Sequence, residues 1–149
     1  MNTSGLNSIR GFSLVELAIG LAVTTVLILA VSMSSGIRDT ARVQSAANSV
    51  QALRSAAENY LAGGKLNYSG IDMDALKTEK LLPDNFNKNG SNPWGGDFSV
   101  AANASNSTRF DISLTSVNKT DKDKLTSYFN NAANSFAYDE GNSAWTVTF

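Results

Sequence analysis

The chain has no cysteine and no histidine in 149 residues, and only two prolines, Pro83 and Pro93. Without cysteine there is no disulfide, no thiolate nucleophile and no thiolate metal ligand. Without histidine the commonest general base is gone as well. A small head on such a chain must close by packing, by its neighbours or by an ion. An excess of one charge is also missing: 12 basic and 13 acidic residues leave a formal net charge of −1. No bulk basic field therefore points to nucleic acid. The turn Pro93-Trp94-Gly95-Gly96 lacks the lysine of a P-loop and does not fit a dinucleotide fingerprint. No catalytic constellation emerges, so the chain reads as a non-enzyme without a cofactor.

What is present is one long apolar run. From Phe12 to Val31 only Ser13, Glu16, Thr24 and Thr25 are polar. Twenty residues as a helix, at ~1.5 Å each, span roughly 30 Å, about one hydrocarbon core. A carboxylate inside such a segment costs about 2.5–3.5 kcal/mol on insertion scales, so Glu16 asks for a partner. Arg10, in a leader without acids, favours N-in, C-out topology, although Arg38 and Arg42 follow the span and thin the bias. Two plainer readings compete. A cleaved secretory signal would use Ala30-Val31-Ser32, but it would put a glutamate in its apolar core. An uncleaved signal anchor is the other.

The residues Gly11-Phe12-Ser13-Leu14-Val15-Glu16-Leu17 resemble the processing site of type IV prepilins and the related pseudopilins. The resemblance implies a leader at 1–11, cleavage by a prepilin peptidase after Gly11, N-methylation of Phe12, and a role for Glu16 in filament assembly. The physics agrees. A freed α-amine has a pKa near ~8 and is mostly cationic at neutral pH. The Phe12 amine of one subunit and Glu16 of its neighbour would neutralise each other and fix register. Within one helix they lie about one turn apart, so an intrachain pair before assembly is also open.

Beyond the apolar run the pattern turns amphipathic. Val43, Ala46, Val50, Leu53, Ala57 and Tyr60 recur at steps of three and four, one apolar stripe of a helix. No proline interrupts from Phe12 to Ala62, and Gly63-Gly64 stops the pattern. The chain therefore divides into a leader (1–11), an apolar membrane or filament-core half-helix (12–35), an amphipathic half-helix (36–62) and a head (63–149). Many type IV pilins kink this helix with a proline where Met33 stands here. Ser32-Met33-Ser34-Ser35-Gly36 is still a weak helical stretch by propensity.

In the head, Asp72 is an expected N-cap for a helix from Asp74 to Leu82 that ends at Pro83. Phe98 and Val100 begin a strand; Phe110, Ile112 and Leu114 alternate in another, with Asn103–Thr108 as the hairpin loop. Lys119-Thr120-Asp121 opens a helix with Leu125, Tyr128, Phe129 and Ala132 on one face. Trp145 to Phe149 form the last strand. The expected fold is α+β: a long N-terminal helix on a small, mostly antiparallel sheet. Asn92-Pro93-Trp94-Gly95-Gly96 before a strand resembles the heads of type IVb and conjugative thin-pilus pilins. The cysteine pair that closes the usual pilin loop is absent.

Asp121, Asp123 and Asp139 offer oxygens for a calcium, a site that the resemblance to major pseudopilins suggests. A solvated helix start and an acidic loop is the plainer reading. Lys119, Lys122 and Lys124 are nearly cancelled by acidic neighbours, so DNA binding is not expected. Together these features point to a structural pilin subunit: held in a bacterial inner membrane before assembly, then part of an extracellular pilus or a periplasm-spanning filament. Its expected partners are copies of itself or other pilins, the peptidase and methylase, and an inner-membrane assembly platform. A minor tip pilin for adhesion or DNA uptake, or a major pseudopilin of type II secretion, are the alternatives.

Overall fold

The computed structural model of the chain describes residues 14–83 and 86–149; side chains from 14 to 35 and that of Ile37 lie outside the description. Helix α1 runs from Leu14 to Ala62, 49 residues, as the absence of proline allows. The chain divides after Arg38 into an N-terminal unit and a compact unit Asp39–Phe149. Among the described residues no helix is long and apolar enough to cross a membrane. The run 12–31 proposed for that purpose by the sequence lies outside the described side chains.

In the compact unit the expected stripe of α1 is the core face. Val43, Ala46, Val50, Leu53, Ala57 and Tyr60 are buried, joined by Ala47 and Ala56. Four alanines on one stripe let the helix axis lie close to whatever it covers. Gly64 then takes a φ of +92°, which an L side chain resists, and the helix stops. Helix α2 is Met73–Thr78, with Asp72 Oδ1 accepting from the Ala75 amide at 2.6 Å. It is shorter than the expected Asp74–Leu82. Lys80 adopts a φ of +57°, and the Leu81 and Leu82 amides fold back onto the Leu76 carbonyl. That reversal buries Leu82, which a continued helix would carry past the core.

Four antiparallel strands follow: β1 (Phe98–Ala102), β2 (Phe110–Leu114), β3 (Ser135–Asp139) and β4 (Ala144–Thr148), in the order β1-β2-β4-β3. Alternation sorts the faces. Phe98, Val100, Phe110, Ile112, Leu114, Trp145 and Val147 are buried in one cluster with the α1 stripe. Ser99, Ala101, Asp111, Ser113 and Thr146 occupy the other positions, exposed or half-buried. The β1–β2 hairpin closes over the expected asparagine-rich loop, where Asn103 Oδ1 accepts from the Ser105 and Asn106 amides.

Two expectations need correction. The stretch after the third helix contains a strand, β3, that the sequence reading left out. Helix α3 (Lys119–Phe129) ends before Ala132, and Tyr128 is 44% exposed. The buried residues of α3 are Asp121, Leu125 and Phe129, spaced by four. That row leaves Tyr128 at the flank of the buried face.

The chain end is held on both sides. Phe110 and Phe149 exchange backbone hydrogen bonds at 3.3 and 3.0 Å, and Asn134 N donates to Thr148 O at 2.8 Å. Phe149 also packs between rings, 5.6 Å from Phe110 and 6.0 Å from Phe129, with the Arg54 guanidinium 4.7 Å over its own ring. The C-terminus is thus part of the core.

Candidate functional site

Gly11, Phe12 and the leader 1–11 lie outside the described residues. Glu16 falls in the first turn of α1 by its backbone, and its side chain lies outside the description. The processing and assembly residues are therefore read from sequence alone.

The described residues do place the Asn92-Pro93-Trp94-Gly95-Gly96 motif. Asn92 is 4% exposed. Its Oδ1 accepts from the Trp94 amide (3.0 Å) and the Gly96 amide (2.9 Å). Its Nδ2 donates to Thr115 O at 2.7 Å and, more weakly, to Asp97 O at 3.3 Å. One amide side chain thus closes the turn on itself and ties it to the end of β2. The two glycines serve different needs. Gly95 has a φ of +82° with open space around it, whereas a Cβ on Gly96 would sit 2.3 Å from Thr115 O. Gly96 is there for close approach, Gly95 for its backbone angle.

From the same turn Trp94 reaches helix α3. Its Nε1 donates to Asp121 Oδ2 at 3.0 Å. Asp121 is 1% exposed and also accepts from Asn118 Nδ2 (2.9 Å) and Lys124 Nζ (3.2 Å). Burial works to raise the Asp121 pKa, but these three donors together hold its carboxyl below the ordinary carboxylate range. Asn118 caps the helix, its Oδ1 accepting from the Asp121 amide at 2.8 Å. A polar knot, Asn92–Trp94–Asp121–Asn118, therefore fastens the 92–97 turn to the start of α3.

This arrangement changes the reading of the acidic residues. Asp121 spends its oxygens on Trp94, Asn118 and Lys124. Asp139 shapes the turn after β3, its Oδ1 taking the Gly141 amide at 2.9 Å and its Oδ2 the Asn142 side chain at 2.6 Å. Those bonds lower the Asp139 pKa, the Asn142 bond first. Asp123 lies 3.3 Å from Lys122. Among the described residues no three acidic side chains gather where a metal ion would be held. The sequence offers Asp121 as a calcium candidate beside the plainer reading of a solvated helix start; in the structure its carboxylate takes the Trp94 indole N–H, a contact signalled only by a tryptophan in a tight turn whose N–H needs an acceptor.

A family model described as PilS N terminal matches residues 38–146. The chain belongs to this pilin-related family. No curated protein matches it. The PilS N-terminal match runs from the last residue of the N-terminal unit to the middle of β4, so it includes the α1 stripe, the Asn92 turn and the knot. Membership in this family suggests a pilus-related role. The leader and the apolar run fall outside the matched span.

Proposed function

We propose that this protein is a subunit of a type IV pilus or a related pilin filament, made as a prepilin and cut after Gly11. The observation that carries the reading is Gly11-Phe12-Ser13-Leu14-Val15-Glu16 at the head of an apolar run, in a chain of a pilin-related family. The new Phe12 amine is methylated. The segment 12–31 anchors the subunit in the inner membrane, N-terminus inward, until the subunit is drawn into the filament. There Glu16 neutralises the Phe12 amine of a neighbour and sets the axial register. A head-to-tail contact of this kind repeats without closing, which is what a fibre requires.

Mass analysis of the mature N-terminus is the direct test. The chain should start at Phe12, and Gly11→Val should retain the leader. A start near Met33 would mean ordinary signal cleavage and end the filament reading. Glu16→Val should insert into membranes at least as well as wild type and fail to enter filaments. Normal incorporation of Glu16→Val would remove Glu16 from the assembly site.

A further inference from the structure

We infer that the free edge of β3 is a self-association site, pairing antiparallel with β3 of a second copy of this chain about a two-fold axis through Ala137. The sheet treats its two edges differently. At β1 the Phe98 amide is taken by Lys88 O at 2.8 Å, and Val100 in mid-strand is 3% exposed. At β3 the backbone is bare. Phe149 exchanges bonds with Phe110 of β2, so Val147 and Trp145 also bond to β2, and Thr146 bonds to Ala137 of β3. Phe136 and Tyr138 therefore aim their backbone N–H and C=O groups away from the sheet, and nothing among the described residues takes them. Ser135, Ala137 and Asp139 are exposed. The strand holds no lysine or proline, the usual guards of such an edge.

This strand is its own complement. With Ala137 on the axis, Phe136 stands opposite Tyr138 of the second copy, and Tyr138 opposite Phe136 of the second copy. Each such pair exchanges two hydrogen bonds, so every outward backbone group of both strands is used. The side chains fit the same register. Phe136 and Tyr138 share the core face with their cross-strand partners Val147 and Trp145, yet both are only half-buried and leave a cleft of about 250 Å³ open beside Thr126 and Trp145. In the pair each ring gains an aromatic neighbour across the strands. On the other face alanine meets alanine, in the close position where a large side chain would obstruct, and Asp139 faces Ser135 rather than another acid. Sliding the register two residues towards the acidic end would set Phe136 against Glu140. An unrelated strand would satisfy the backbone alone; a second β3 satisfies the backbone and covers the rings.

The symmetry limits what the pair can join. Its axis stands normal to the sheet, and the α1 stripe from Val43 to Tyr60 packs in one cluster with the sheet's core face, so this part of α1 runs in the reverse direction in the second copy. Subunits of one polar filament share a direction. Resting on the filament reading above, the pair therefore joins subunits of two filaments that run in opposite directions. It is isologous and closes on itself, unlike the head-to-tail contact that builds the fibre. A few backbone bonds and two ring pairs hold single subunits weakly; many such contacts along two filaments act together.

The absence of cysteine makes the test clean. Full-length Ala137→Cys in detergent, under mild oxidation, should form a disulfide-linked homodimer, because its two Cα atoms lie about 4.5 Å apart across the axis. Full-length Ser135→Cys should give about a tenth of that dimer or less, since its two copies stand roughly 13 Å apart. Both positions are exposed, so both variants keep the fold. Equal dimer at 135 and 137, or none at 137, overturns the two-fold pairing. In assembled filaments Ala137→Lys sets like charges face to face and should reduce side-by-side association about tenfold or more at normal filament yield. Wild-type filaments that never associate, or Ala137→Lys filaments that associate as wild type does, overturn the joining of filaments. A wild type that makes no filaments, beside an intact disulfide pattern, overturns the filament reading and leaves the pairing standing.

Discussion

Replacing Asn92 by alanine should cost this fold more than any other loss of a single polar side chain in the turn. The substitution removes the acceptor of the Trp94 and Gly96 amides and the donor to Thr115 O, while Gly96 itself is buried. A buried group left without a partner costs about 1–3 kcal/mol. The partly exposed members regain some water, so about 2–4 kcal/mol is expected for the three bonds. Small domains hold ~5–15 kcal/mol in all, and each kcal/mol shifts Tm by roughly 4–8 °C at this size. A melt of an Asp39–Phe149 fragment should fall by about 8–32 °C. Asn92→Asp isolates the chemistry from the volume. The carboxylate keeps the two acceptor bonds but faces the Thr115 and Asp97 carbonyls, so its charged form is disfavoured and its folded pKa is raised. Stability contributed by such a group is present below the unfolded carboxyl pKa and lost as pH rises through the folded one. Asn92→Asp should therefore approach wild type near pH 4 and fall away towards pH 7. A pH-independent deficit, or none, would refute the hydrogen-bond account of the turn.

Gly96→Ala should destabilise by about 3 kcal/mol or more, since the Thr115 carbonyl in its way is backbone. Gly95→Ala, limited to left-handed strain, should cost about 1–2 kcal/mol; urea titrations of the pair check the order. The Asp121 pKa is lowered in the folded state, so its contribution is present above the ordinary value of 3.8 and lost as pH falls through the folded one. Asp121→Asn should be less stable than wild type at pH 7, with a flatter acid limb, as urea midpoints from pH 3 to 7 would show. Trp145→Ala should cost ~3–5 kcal/mol and a chelator nothing; a chelator-sensitive wild-type melt would favour the calcium reading.

The legible parts of this fold are those written in a single period. The α1 stripe could be read because Val43 to Tyr60 repeat at helical steps, and β2 because Phe110, Ile112 and Leu114 alternate without a break. Strand β3 shows only Phe136 and Tyr138 as large residues, and they fall directly after the α3 pattern. A two-residue alternation at a sheet edge does not stand out from a loop. Tyr128 shares a helical spacing with Leu125 and Phe129, but the row of Asp121, Leu125 and Phe129 shows the true axis of the buried face. The knot was the least legible. Trp94 and Asp121 are 27 residues apart, and nothing local distinguishes an acid that receives an indole N–H from one on a solvated first turn.

The knot also bears on how a pilin-like head closes without cysteine. A disulfide acts mainly by restricting the unfolded chain, and in small secreted domains its loss typically costs about 2–5 kcal/mol. Here the same stretch is fastened in the native state: through Trp94–Asp121 at the start of α3, through Trp145 Nε1 to Thr126 Oγ1 at 3.0 Å within α3, and through the Phe110–Phe149 pairing at the chain end. Aromatic packing around Phe129, 6.1 Å from Trp145 and 6.0 Å from Phe149, joins these points. Such fastenings are indifferent to redox poise but sensitive to acid at one place, Asp121. The direction is opposite to a disulfide's in another respect as well. A covalent link survives partial opening, whereas the knot breaks as soon as the 92–97 turn leaves β2. Closure of this head is therefore expected to be cooperative with the turn, so that Asn92→Ala exposes the amides of α3 to hydrogen exchange together with those of 92–97. Separate exchange of the two segments would show that they are not fastened to each other.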